Sequence, residues 1–268
     1  MKDILQESIT HKRLEVEAQK KLVPLTELES RFPEAMRKPT ISMRTTLATS
    51  PTGIIAEFKR RSPSKGWIFP DAKVEKVVPA YELAGASSCS VLTDQEFFGG
   101  SLDDLRTARS LVALPILRKE FIIDPYQLIE ARIAGADAVL LIASVLTPEM
   151  CFDLAQAANR LQLEVLLEVH TENELGHVNQ FIDMIGINNR NLGTFDTSLD
   201  HSFRLAEKVL QLDSSAVLVS ESGISKPSTV NELRKCGFRG FLIGETFMRN
   251  GTPGETLTEF MKGLGHDH

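Results

Sequence analysis

From Gly53 onward, short apolar and β-branched runs recur along the chain at 54–58, 88–92, 115–118, 138–142, 164–169, 183–187, 216–220 and 241–243. Each run is almost continuously hydrophobic rather than alternating. That is the pattern of a strand buried on both faces, as in a parallel sheet covered by helices. Helix-like segments at 74–83, 102–111, 125–134, 148–160, 226–236 and 253–264 alternate with them. Thr147 and Pro148 fit an N-cap and first helical position, and Gly85, Gly135 and Gly237 fit helix C-caps before the next strand. The repetition of eight such units predicts a closed (β/α)8 TIM barrel of the α/β class. An open doubly wound sheet is the alternative. It would be favoured by a G-x-G-x-x-G turn after the first strand, and residues 59–66 contain none.

The first 50 residues have a different pattern. Residues 1–22 are charged, free of Gly and Pro, and carry a modest apolar stripe at Ile4, Leu5, Ile9, Leu14 and Val16. They predict a helix, and Pro24, Pro33 and Pro39 are expected to break the stretch up to residue 50 into short pieces. The chain is therefore expected to be a single domain, a helical extension over 1–50 and a barrel over 51–268.

The net charge of −6 argues against general nucleic-acid binding, while leaving room for a local cationic cleft. Cys89, Cys151 and Cys236 form no C-x-x-C pair, so each is expected as a small core residue in a reducing compartment. Asp3 and Glu7 sit in an N-terminus without an apolar block, and no run is long enough to span a bilayer. The cytoplasm is the expected location. The six histidines show no ligand spacing, so no metal site is expected.

In a (β/α)8 barrel the chemistry sits where strands end. Here the ends carry Glu57 and Lys59, then Arg118 to Phe121, Glu168, Asn188 to Arg190, Glu221 to Gly223, and Gly244 with Glu245. Side chains two apart on a strand share a face. Ile55, Glu57 and Lys59 therefore align, as do Leu117 with Lys119, Leu166 with Glu168, Gly186 with Asn188, and Val219 with Glu221. A single buried Lys–Glu pair is more often structural than catalytic; two lysines, three glutamates and an asparagine converging on one rim point to an active site.

Ser222-Gly223-Ile224-Ser225 and Ile243-Gly244-Glu245-Thr246 place small residues where such barrels commonly hold phosphate, with Ser62 and Lys59 able to complete the site. Phe98 and Phe121 lie in loops after strands, either as an aromatic wall for a flat substrate or as packing under a lid. Arg60, Arg61 and Lys65 read as a solvated loop surface that also attracts an anion.

These residues resemble a known family. The segments 57–66 (EFKRRSPSKG), 90–94 (SVLTD) with 97–101 (FFGGS), 117–124 (LRKEFIID), 186–192 (GINNRNL), 220–224 (SESGI) and 242–245 (LIGE) resemble indole-3-glycerol-phosphate synthases in order and spacing. The resemblance implies a cofactor-free lyase of tryptophan biosynthesis. It would convert 1-(2-carboxyphenylamino)-1-deoxyribulose 5-phosphate to indole-3-glycerol phosphate, carbon dioxide and water. It implies Lys119 as general acid at the ketone oxygen, and Lys59 as the carboxylate-binding cation that assists dehydration. Glu168 would be an acid/base, Glu57 and Glu221 would hold the lysines and sugar hydroxyls, and Asn188 would orient substrate.

Ser62, Gly223, Gly244 and Glu245 carry over to the phosphate site, beside Ser222 and Arg190 at the same strand ends. Phe98, Phe121, Leu140 and Leu192 carry over to the pocket for the anthranilate ring. Glu120 and Asn191 stand where many members have Asp, which puts only loop geometry in question. The extension resembles a family segment that packs at the barrel mouth, and no fused isomerase is expected.

The implied partner is a phosphorylated small molecule, with neither nucleic acid nor membrane, on a monomer or weak homo-oligomer. A phosphoribosylanthranilate isomerase is the rival enzyme, but it wants an Asp–Cys pair and no cysteine ends a strand. A noncatalytic phosphometabolite-binding barrel would have lost the rim lysines or glutamates.

Overall fold

Eight parallel strands close on themselves in chain order: β1 (Ile54–Phe58), β2 (Ser88–Leu92), β3 (Ile116–Lys119), β4 (Ala138–Ile142), β5 (Glu164–Val169), β6 (Met184–Asn188), β7 (Val217–Glu221) and β8 (Phe238–Ile243). The computed structural model describes residues 4–190, 199–213 and 215–264. Closure is made by β8 against β1, with Ile54 beside Phe241, Ile55 beside Leu242 and Ala56 beside Ile243. The hydrophobic runs locate all eight strands, with small shifts at their ends. β8 begins earlier than its run because Arg239 is exposed and Gly240 has no side chain to mark a strand, and a register shift falls between Phe238 and Gly240.

Helices α4 (Val74–Leu83), α5 (Leu102–Leu111), α6 (Pro125–Ala134), α7 (Pro148–Arg160), α8 (Leu199–Leu212), α9 (Pro227–Lys235), α10 (Glu245–Met248) and α11 (Pro253–Lys262) complete the chain order after three N-terminal helices. β5 is followed by a 3-10 turn at Glu172–His177, fixed by a reciprocal Thr171–Glu174 capping box, where no element was expected. No described helix is long and apolar enough to cross a membrane.

Strand alternation produces two apolar layers. Ala56, Phe58, Val91, Val139 and Leu167 pack outward with the helices. Ile55, Leu117, Leu140, Leu166, Val219 and Leu242 fill the barrel interior. Met43 and Leu47 of α3 (Met43–Thr49) join that interior cluster and are fully buried. Ser42 caps α3 by accepting the Thr45 N–H at 3.0 Å.

α1 (Ile4–Leu22) forms as expected. The expected break at Pro33 does not occur, because α2 (Leu25–Arg37) runs through it. An interior proline costs about 3 kcal/mol. Packing of α2 against α6 offsets it, with Leu28 buried and Arg132 Nη2 donating to Lys38 O at 2.6 Å. Cys89 and Cys151 are buried as expected; Cys236 is exposed, since it ends α9 at the surface rather than on its inner face.

Candidate active site

Because Ile55, Leu117, Leu166 and Val219 point into the barrel, the residues two further on emerge at its C-terminal mouth. These are Glu57, Lys119, Glu168 and Glu221. Register aligns their neighbours: Glu168 lies beside Gly186, and Asn188 beside Glu221. Position 186 must be glycine for this arrangement, since a Cβ there would sit 2.1 Å from Glu221 Oε1. At position 244 a Cβ would sit 2.3 Å from Glu57 Oε1. Two glycines thus make room for two carboxylates.

Lys119 Nζ donates to Glu168 Oε2 at 3.0 Å and to Glu221 Oε2 at 2.5 Å. Asn188 Nδ2 donates to the other Glu168 oxygen at 3.0 Å. Lys59 Nζ pairs with Glu57 Oε1 at 2.5 Å. Burial alone would pull Lys119 down, but Glu168, Glu221 and Glu57 more than offset it and hold the ammonium above the ordinary lysine range. Burial likewise pushes Glu168 up, yet Lys119, His170 and Asn188 hold it down to about 2. Glu221 goes the other way. Burial and the neighbouring Glu168 and Glu57 carboxylates outweigh Lys119 and raise it to about 7. Two carboxylates sharing one ammonium are thereby driven apart in acidity, the arrangement by which sites separate acid from base.

The rim encloses a cavity of about 780 Å³. Phe98 and Phe121 line it with ring centroids 6.1 Å apart, above a floor that includes Leu140. Ser62, Ser222, Gly223, Gly244 and Glu245 also line it. Ser222 and Gly223 take successive left-handed conformations, φ 69° and 74°. The Ser62 hydroxyl is buried with no hydrogen-bond partner among the described residues, as a ligand-facing donor would be. Arg190 Nη1 donates to Ser64 Oγ at 2.9 Å, and its Nη2 stands 3.9 Å from Glu245 Oε2. It thereby ties the loop after β1 to the ends of β6 and β8.

Each candidate drawn from the sequence lines this one cavity, except Leu192, which lies outside the described residues together with Asn191. Arg60 is the correction. It is not part of a solvated surface: its guanidinium pairs with Asp104 at 2.7 and 2.8 Å and donates to Ala72 O and Gly99 O. Arg61 stacks on Trp67 at 5.6 Å, and Lys65 reaches the cavity.

The cavity also has lining residues that the strand-end pattern does not name. His170 continues the period of two beyond Leu166 and Glu168, a signal present in the sequence. Ile4, Leu5 and Ser8 of α1 also reach the cavity, which no local pattern reveals. They are held there by Lys12, fully buried, with Asp94 and Glu120 each at 3.0 Å. Glu120 is fully engaged: Oε1 also accepts the Phe121 N–H at 2.8 Å, and Oε2 accepts Thr93 Oγ1 at 2.7 Å.

The chain has relatives of known family. The family model described as indole-3-glycerol phosphate synthase matches residues 5–260. An indole-3-glycerol phosphate synthase of Bacteroides thetaiotaomicron is 59% identical over 264 residues, covering 98% of this chain and 100% of that one. One of Polaromonas naphthalenivorans is 42% identical over 262 residues, covering 97% and 98%. Among solved structures, a mutant tryptophan synthase alpha-subunit from Pyrococcus furiosus superposes with a TM-score of 0.61 at 11% identity, covering 80% of this chain and 97% of that one. That likeness is one of fold. The full-length sequence matches carry more, and the chain belongs to the indole-3-glycerol phosphate synthase family.

Proposed function

We propose that this cavity closes the indole ring of 1-(2-carboxyphenylamino)-1-deoxyribulose 5-phosphate, releasing carbon dioxide and water, with Lys119 as the acid that starts the reaction. The single observation that carries this reading is the placement of Lys119 between Glu168 and Glu221 on the cavity wall. An ammonium held by two carboxylates arrives protonated. The alkoxide that develops as the ring carbon attacks the ketone is a stronger base than the paired amine, so the proton moves to oxygen. Lys119 is then neutral and able to take back the proton lost from carbon when the ring becomes aromatic.

Lys59, paired with Glu57, binds the substrate carboxylate and assists the later dehydration. Glu168 exchanges protons in that dehydration. Its acidity depends on Lys119: once the lysine is neutral, the strongest influence holding the carboxylate ionised is gone and burial favours the acid form. Asn188 and Glu221 fix the positions of Glu168, Lys119 and the sugar hydroxyls. Phe98, Phe121, Leu140 and Leu192 receive the anthranilate ring. Ser62, Ser222, Gly223, Gly244 and the Glu245 backbone receive the phosphate, with Arg190 bracing the loop above. We infer a monomer or weak homo-oligomer acting in the cytoplasm, which sedimentation and fractionation would check. The direct test is incubation with the substrate while following indole absorbance. Product is expected, and its absence from folded protein would refute the assignment.

A further inference from the structure

Balancing this reaction leaves one proton unaccounted for. The ketone oxygen departs as water and so acquires two protons. The carbon beside nitrogen gives one back, and the carboxylate leaves as carbon dioxide without one. Each turnover therefore consumes one proton. Lys119 supplies the first and recovers the one released from carbon, so its account closes. The second, given to the departing hydroxyl, must come from another group that solvent recharges.

His170 is placed to supply it. Its side chain is buried at the end of β5 yet lines the cavity, one alternation beyond Glu168. Nε2 lies 3.4 Å from Glu168 Oε1, and Nδ1 lies 3.9 Å from Glu174 Oε2 in the 3-10 turn. The turn fixes the backbone, because the His170 and Thr171 N–H groups both donate to Glu174 Oε2, at 2.5 and 3.1 Å. Among the described residues, the charged groups facing the ring include Glu168 from β5 and Glu174 from the turn, with Lys119 of β3 on the far oxygen of Glu168. Two carboxylates flank an imidazole, the side chain that ordinarily exchanges a proton between pH 5 and 8.

We propose that His170 stores the proton that each turnover consumes and passes it to Glu168. This rests on the function proposed above. The imidazolium Nε2–H bond breaks as an O–H bond forms at Glu168 Oε1. Glu168 gives that proton to the departing hydroxyl, water leaves, and the carboxylate is restored. After product leaves, solvent entering the cavity reprotonates the imidazole. Nε2 and Glu168 Oε1 are 3.4 Å apart, and catalytic hydrogen bonds that are long without substrate commonly tighten in the complex. His170 is a positioning and proton-supplying residue that acts on substrate through Glu168.

The test compares His170→Ala and His170→Asn with the wild type in steady-state assays across pH 6 to 9, with and without added imidazole. Both variants are expected to lose roughly 10-fold or more in kcat, with KM within about 2-fold, consistent with loss of a general acid–base partner. Imidazole is expected to restore turnover to His170→Ala, most strongly below about pH 6.5, where the free imidazole added to the assay is mostly cationic. His170→Asn keeps a polar side chain of similar reach and carries no exchangeable charge. Wild-type turnover in that variant would overturn the proposal. So would a slow His170→Ala that imidazole leaves unchanged. Product formation by the wild-type enzyme separately answers for the function itself.

Discussion

Glu221 shows how much a single buried carboxyl can report. Held near 7 in the folded protein against an ordinary 4.5, it binds more protons folded than unfolded as pH rises from about 4.5 to 7. Stability therefore falls across that window, by on the order of 3 kcal/mol at most. Glu168 has the opposite sign: held low, it contributes stability above its ordinary 4.5 that is lost only as pH falls toward about 2. Glu221→Gln is expected to flatten the decline between pH 4.5 and 7 in urea titrations while lowering kcat. A wild-type pH dependence in that variant would place the titration on another group. Gly186→Ala tests the same carboxylate from its far side. An added methyl would collide with Glu221 Oε1 and displace the carboxylate whose Oε2 accepts from Lys119, so kcat is expected to fall about 10²-fold for a cost of about 1–3 kcal/mol in stability. Unchanged turnover would show that the carboxylate position is not critical.

Among the elements, the strands were the most legible. Continuous apolar runs mark them, and period two from Ile55, Leu117, Leu166 and Val219 leads to the mouth residues. α1 illustrates the opposite case. Its helix was visible, but its docking depends on Lys12 meeting Asp94 and Glu120, contacts that join distant parts of the chain. A lysine on a charged helix gives no local sign that it will be buried. Lys12→Met would strand two buried carboxylates, and such broken pairs cost about 3–5 kcal/mol. The expected result is early proteolysis within residues 1–22 and a raised KM, because Ile4, Leu5 and Ser8 line the cavity. Protease resistance equal to the wild type would show that α1 is held by its apolar contacts alone.

At the scale of the whole molecule, the alternation of strand and helix gave the barrel, and strand ends gave most of the site. Pro33 misled because local propensity ignores the packing of α2 on α6, and Arg60 because a loop guanidinium finds its partner, Asp104, on another element. The closed barrel then brings Lys59, Lys119, Glu168, Asn188 and Glu221 from five strands or strand ends to one cavity, so the chemistry belongs to the assembled ring. The most direct measurement is steady-state turnover of the carboxyphenylamino deoxyribulose phosphate by wild-type and Lys119→Ala protein, followed by indole absorbance. The wild type is expected to form indole-3-glycerol phosphate, with kcat falling about 10²-fold or more in the variant and KM changing only a few-fold. Retained turnover in Lys119→Ala, or a variant that loses substrate binding while keeping kcat, would contradict the role of Lys119 as the acid that initiates ring closure.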